Sequence, residues 1–374
     1  MRKSILKIHL WLGLTVGAVL VVVGITGSVY VFQPELTSLL YADQYRSEKP
    51  GAKALDPRLI VKAAEEQFKA PVTTLHFPVR ELQNYILKVK GKKEWVFYDA
   101  ATGRYKGELE KRRGVLDTVL DIHRQLTLGE IGSKITGACA LILAFILISS
   151  GLILWLPRKK RNLKDGLRLK PDASFKRRNY DIHNVFGFYL SLPLVVISVT
   201  GAYFAFPDQV QAVADYVTRT QEPTPNIKTF KSTYRADMPP MTVYQALDLM
   251  DSTFPSYYKR AVTMPADSAD RVYFSYVGTN TIDAGQQYRP MVFLDQYTAE
   301  VLYAYDPLTS PAGAQLTRNW FLAVHFGEVG GTITRLLWFF LGLTPAMFWV
   351  TGIIMWRGRG KKKKKARVAP VAVR

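Results

Sequence analysis

Four stretches of this chain are apolar and free of Asp, Glu, Lys and Arg: Ile8–Phe32, Ile135–Leu156, Ile182–Phe206 and Leu336–Trp356. A helix rises about 1.5 Å per residue, so about 20 such residues cross the hydrocarbon of a bilayer, and all four runs reach that length. A core helix of a soluble protein is shorter and keeps a polar face. The expected molecule is therefore an integral membrane α-helical protein with four spanning helices in one bundle. Whatever lies between them must fold on one side of the bilayer or the other.

Charge chooses the sides. A net charge of +20 looks like a nucleic-acid signal until it is located. The segments before Ile8, between Leu156 and Ile182, and after Trp356 hold 22 Lys and Arg against three Asp. The remainder is almost neutral, with 28 basic and 27 acidic residues. This asymmetry is the positive-inside signal, and it places the N-terminus, the Pro157–Asp181 loop and the C-terminus in the cytoplasm. The run Lys361–Lys365 reads as a topology anchor on anionic lipid, and no nucleic-acid partner is expected. The start Met1-Arg2-Lys3 resembles a signal peptide. The apolar run behind it is too long, though, and no small-residue cleavage site follows, so it reads as an uncleaved span. The expected order is N-terminus and first span (1–32), outer segment (33–134), second span (135–156), basic loop (157–181), third span (182–206), outer segment (207–335), fourth span (336–356) and basic tail (357–374).

The outer segments contain no cysteine, so no disulfide braces them, and the lone Cys139 reads as a packing residue inside the second span. In the first segment Asp56-Pro57 opens a helix to about Phe68, with Asp as N-cap and Pro at the first helical position. Strands follow at Thr73–Val79, Asn84–Lys90 and Trp95–Tyr98, then a turn at Asp99–Gly103 and a return over Arg104–Leu109. The second segment repeats this pattern. Thr242 and Gln245 form a capping box, the helix runs to about Thr253, and strands follow at Lys259–Met264 and Arg271–Val277. VFLDQYTAEV from Val292 then echoes VFYDAATGRY from Val96, with Ala299 in place of Gly103, so the second turn is expected to differ. The echo extends to Ile25–Gly27 and Val199–Gly201, to the two GExG stretches at Gly129 and Gly327, and to Ser150–Trp155 and Thr351–Trp356. The chain reads as two repeated halves, each with an α+β extracytoplasmic domain.

Only five histidines are present. His9 and His183 open the first and third spans, and each is followed one helical turn on by a glycine, Gly13 and Gly187. An imidazole above a trench without side chains suits a flat, bulky cofactor. His123 and His325 each precede a GExG stretch at the outer ends of the second and fourth spans. His76 has no counterpart and reads as an ordinary polar residue. The duplication makes two pairs, an inner His9/His183 and an outer His123/His325, each able to ligate one metal. Zinc wants three or four protein ligands, which neither pair has. A haem brings four nitrogens and needs only axial imidazoles, and without C-x-x-C-H it would be held non-covalently, as b-type. Two haems b are the leading reading; another metal, or no cofactor, are the alternatives. Arg124, Lys134 and Arg335 outside, and Lys7 and Arg178 inside, are candidates for the haem carboxylates or for lipid headgroups.

The paired IHxxxG spans, the two D-x-x-T hairpins, the GExG stretches and the SGxxxW and TGxxxW endings, in this order from Ser4 to Arg357, resemble the PepSY-associated transmembrane family. Within it the chain is most similar to the siderophore-reductase branch. The resemblance implies a four-helix core in a bacterial inner membrane, two periplasmic PepSY-like domains, and two haems b on His9, His183, His123 and His325. It also implies a haem-dependent reductase of a periplasmic ferric siderophore or other ferric chelate. No Rossmann or flavin fingerprint appears, so electrons would come from a cytoplasmic or quinol donor. The rival reading is a membrane-anchored regulator whose outer domains bind peptides or proteases without redox chemistry.

Overall fold

The computed structural model describes residues 1–78, 84–157, 163–278 and 289–367. Val79, at the end of the first expected strand, the loop residues 158–162 and the tail beyond 367 lie outside the described residues, as do the side chains of Lys361–Lys365.

Among the described residues, three helices are long and apolar enough to cross a membrane: Arg2–Tyr30, Gly129–Trp155 and Gly331–Gly358. The expected third span is instead two helices, Phe175–Tyr189 and Ser191–Ala205, which meet at a 60° bend. Small residues decide how these helices meet. Gly24 and Gly342 face each other where the first and last helices cross, and the Ser28 hydroxyl reaches the carbonyl of Phe339 at 2.8 Å. Gly137 lies against Ala205, joining the second helix to the third. Without a hydrophobic driving force between helices in lipid, such backbone approach is the usual source of packing energy.

Outside the long helices the described residues form one antiparallel sheet of eight strands, in the order β4-β3-β2-β1-β5-β6-β7-β8. The first segment supplies β1 (Val72–His76), β2 (Asn84–Val89), β3 (Trp95–Asp99) and β4 (Tyr105–Leu109). The second supplies β5 (Tyr257–Thr263), β6 (Val272–Gly278), β7 (Met291–Leu294) and β8 (Val301–Tyr305). The two four-stranded pieces join through β1 and β5, with Leu75 opposite Val262 and His76 opposite Ala261. Each piece alone would expose an unpaired edge at this point, and pairing removes both.

One face of the sheet carries the core. The helices Pro57–Phe68 and Val243–Thr253 lay Ile60, Val61 and Ala64, and Ala246, Leu247 and Met250, on Leu75, Leu87, Val262 and Phe274. Asp56 accepts from the Arg58 amide at 2.8 Å, and the Thr242/Gln245 capping box is complete, as the sequence predicted. Each fully buried Leu, Met or Phe contributes about 1.5–3 kcal/mol. The opposite face bears a small cluster of Tyr45, Ile86 and Phe97, and looks onto a cavity above the long helices.

The two D-x-x-T turns are alike, contrary to the expectation drawn from Ala299. Gly103 has φ +70° and Ala299 φ +62°. Asp99 accepts from the amides of Ala101 and Thr102, both at 2.9 Å, and Asp295 from those of Tyr297 and Thr298 at 2.8 and 2.9 Å. The buried carboxylate therefore imposes the left-handed residue, and alanine tolerates it at a cost of about 1 kcal/mol.

Candidate functional site

The four expected histidines come together as two pairs. The rings of His9, on the first helix, and His183, on Phe175–Tyr189, have centroids 6.3 Å apart at 80°. His123, on the helix Val115–Gln125, and His325, which ends Leu322–His325, also lie 6.3 Å apart, at 45°. A ligating imidazole nitrogen sits about 2.0–2.1 Å from its metal and roughly 1.1 Å from its own ring centre, so two imidazoles on opposite sides of one metal place their centroids roughly 6.3 Å apart. Both pairs have this separation.

Hydrogen bonds fix the tautomer. His123 Nδ1 lies 2.8 Å from the Val23 carbonyl and His325 Nδ1 3.1 Å from that of Ile197. A carbonyl only accepts, so Nδ1 carries the proton in both. His9 Nδ1 meets Ser150 Oγ at 2.9 Å, and His183 Nδ1 meets Thr351 Oγ1 at 2.8 Å. These hydroxyls have carbonyls to donate to, Leu147 at 3.1 Å and Met347 at 2.7 Å, and so accept from Nδ1–H. In the neutral imidazole this leaves Nε2 as the unprotonated nitrogen of all four rings, the form a metal takes.

Glycines admit the rings. A Cβ on Gly27 would meet His123 Cε1 at 2.7 Å, and one on Gly201 would meet His325 Cε1 at 2.9 Å. Gly151 faces His9 at 3.2 Å and Gly352 faces His183 at 3.8 Å. The turns that deliver His123 and His325 to the long helices use the GExG stretches, whose first glycines have φ +60° at Gly129 and +69° at Gly327.

Each pair borders a cavity. The inner one, about 310 Å³, includes Gly13 and Gly187. A Cβ on Gly13 would meet nothing within 4 Å, and one on Gly187 only Phe348 at 3.8 Å. The outer one, about 600 Å³, reaches from the outer pair to the sheet. Leu20, Leu143, Leu194 and Pro345 line both, so the two cavities meet at apolar side chains. Among the described residues no three of His, Cys, Asp and Glu converge on a metal, and each pair would suit a metal that brings its own equatorial ligands.

Of the expected carboxylate partners, Arg124 and Arg335 line the outer cavity, but Arg335 is paired with Glu35 at 2.5 and 2.6 Å. Lys134 pairs with Glu130 at 2.8 Å, away from that lining, and Lys7 and Arg178 lie outside the described lining of the inner cavity. The structure adds residues that the sequence reading passed over. His76, Arg112, Arg113, Arg260 and Arg289 all line the outer cavity. Burial, then Arg289 and Arg112, pull the Arg260 guanidinium down to about 9. Burial, then Arg112 and Arg260, hold the His76 imidazole well below its ordinary value, and so neutral at pH 7.

No curated protein matches the chain. The family model described as the PepSY-associated TM region matches residues 6–359, nearly the full length, and so this chain belongs to the PepSY-associated transmembrane family of membrane proteins.

Proposed function

We propose that this protein passes electrons across a bacterial inner membrane through two b-type haems and delivers them to a periplasmic ferric siderophore or other ferric chelate, releasing Fe(II). His9 and His183 would hold the inner haem, His123 and His325 the outer one. The observation that carries this reading is two imidazole pairs with the same 6.3 Å separation, each with Nδ1 occupied. A haem, when bound, supplies reversible one-electron exchange.

The chain's own groups do the rest. Ser150, Thr351 and the carbonyls of Val23 and Ile197 set the ring orientations and keep Nε2 unprotonated. The apolar side chains of Leu20, Leu143, Leu194 and Pro345 lie where the two cavities meet, and a dry contact there would give electrons a route that protons lack. We read the long helices as a four-helix bundle of two repeated halves, because the contacts at His9 and His183, and at His123 and His325, have the same form. The basic segments favour cytoplasmic termini and a periplasmic sheet. An electron leaving the cytoplasm then moves with an inside-negative potential, worth ~2.3 kcal/mol per 100 mV. Iron(III) takes one electron and leaves its chelate as iron(II), and the electron comes from a cytoplasmic or quinol donor.

The test is reoxidation. Purified protein reduced with dithionite and freed of excess reductant should be reoxidised by a ferric siderophore, with one Fe(II) trapped by a ferrous chelator per electron lost. If no ferric chelate reoxidises it, the acceptor assignment is wrong.

A further inference from the structure

The outer cavity holds more positive charge than a pair of histidines needs. Among the described residues, six arginines line it against two glutamates, Glu35 and Glu328. Three of the six are accounted for. Arg335 holds Glu35, Arg289 faces Glu328 at 3.6 Å, and Arg113 pairs with Asp117 at 3.3 Å. Arg124 lies over the Phe204 ring at 5.6 Å. Among the described residues, the guanidinium groups of Arg112 and Arg260 make no ion pair.

A guanidinium does not shed its proton at neutral pH, and a shielded one without a counter-charge is costly. The depression of Arg260 by burial and by its neighbours Arg289 and Arg112 is that cost made visible. Arg260 and His76 lie side by side where β1 meets β5, since the Phe77 amide donates to the Arg260 carbonyl at 3.0 Å and His76 stands opposite Ala261. The site therefore exists only because the two halves of the sheet join. A counter-charge missing among the described residues, a cavity of about 600 Å³ and donors on its roof describe a place for an anion.

We propose that Arg112 and Arg260, with His76 beside them, bind the carboxylates of a small polycarboxylate between the sheet and the outer histidine pair. The planar fork of arginine matches a carboxylate through two parallel hydrogen bonds, and two such forks favour a ligand with several carboxylates over a single-charge one. The site stands on the arginines alone. That its occupant is the electron acceptor, an acidic ferric chelate, rests on the function proposed above. The same carboxylate chemistry has a second source, the propionates of a haem at His123 and His325, and the test must separate the two.

Citrate and ferric citrate are the probes, titrated calorimetrically into full-length protein in detergent, with haem per chain read from the absorption spectrum of the same samples. Wild type is expected to bind both. Arg112→Gln and Arg260→Gln should each weaken binding roughly ten- to hundredfold, the effect of losing a charge-assisted pair, with haem content unchanged. Arg260→Lys, which keeps the charge and the fold but loses the fork, should fall between. Unchanged citrate affinity in the Lys and Gln variants, or none in wild type, overturns the proposal. So does loss of haem from the arginine variants, because the arginines would then serve the cofactor's own carboxylates. Colourless protein that still binds citrate through these arginines would keep the site and sink the proposed function. Haem-containing protein that ignores citrate would do the reverse.

Discussion

A single methyl group at Gly27 perturbs the outer pair while leaving every histidine in place. A Cβ there would stand 2.7 Å from His123 Cε1 and 3.0 Å from Nδ1. Carbon atoms at rest lie about 3.5–4.0 Å apart, so the ring must retreat by roughly 1 Å. It cannot do so freely, because Nδ1–H is held by the Val23 carbonyl at 2.8 Å, and metal–ligand distances tolerate only about 0.2 Å. Overpacking of this kind costs about 1–3 kcal/mol, against a gain of about 1 kcal/mol from replacing a helical glycine by alanine. Three further glycines make a graded series: Gly201 at 2.9 Å, Gly151 at 3.2 Å and Gly352 at 3.8 Å from their histidines. Haem content, the visible spectrum and the Tm of the four Gly→Ala variants should follow that order. Gly27→Ala and Gly201→Ala should lose or shift the outer haem and lower Tm. Gly151→Ala should disturb the inner one mildly. Gly352→Ala should leave the spectrum alone and stabilise slightly. A normal outer haem in Gly27→Ala, or a stronger effect at Gly352 than at Gly27, would refute the reasoning.

Gly13→Leu or Gly187→Leu should lower inner-haem occupancy while the protein still inserts, read as haem per chain after membrane extraction. Asp99→Ala leaves the amides of Glu48, Ala101 and Thr102 without their acceptor and should cost about 2–4 kcal/mol, seen as a lower Tm. Burial works to raise Asp99 and Asp295, but the backbone N–H groups around them hold both carboxyls below their usual 3.8. Their stabilisation is therefore complete above that pH and lost as pH falls through the lower folded value. Asp99→Asn should flatten this acid loss in a pH series of melting curves. Ala299→Gly should raise Tm by relieving the left-handed alanine, an effect of about 1 kcal/mol.

Much of this molecule was legible in its sequence because membranes and caps leave local signatures. Uncharged runs of spanning length located the long helices, Asp56-Pro57 and Thr242/Gln245 located the two soluble ones, and strict repetition picked four histidines out of five. What escaped is tertiary. Nothing local in Leu75 or Val262 says that β1 and β5 pair, so the sheet reads as two pieces and not one. The bend between Tyr189 and Ser191 falls inside an unbroken apolar run. The small residues at the rings were visible, as the last residue of ITG and VTG and as the Ser-Gly and Thr-Gly of the span endings, but repetition alone did not say that they face histidines. His76 was set aside for want of a counterpart, and Arg112 and Arg260 look like ordinary surface cations until the fold gathers them over one cavity. Ala299 misled because propensity was weighed without the buried Asp295 that overrides it.

The central claim is that four histidines form two cofactor sites paired by depth, and haem stoichiometry in single-histidine variants tests it most directly. Wild-type protein produced with ample haem should carry two haems b per chain, with oxidised and dithionite-reduced spectra of bis-imidazole type. His9→Ala and His183→Ala should lose the same haem, His123→Ala and His325→Ala the other, and His76→Ala neither. A wild-type protein with one haem or none, or different haems lost from the His9 and His183 variants, would contradict the account.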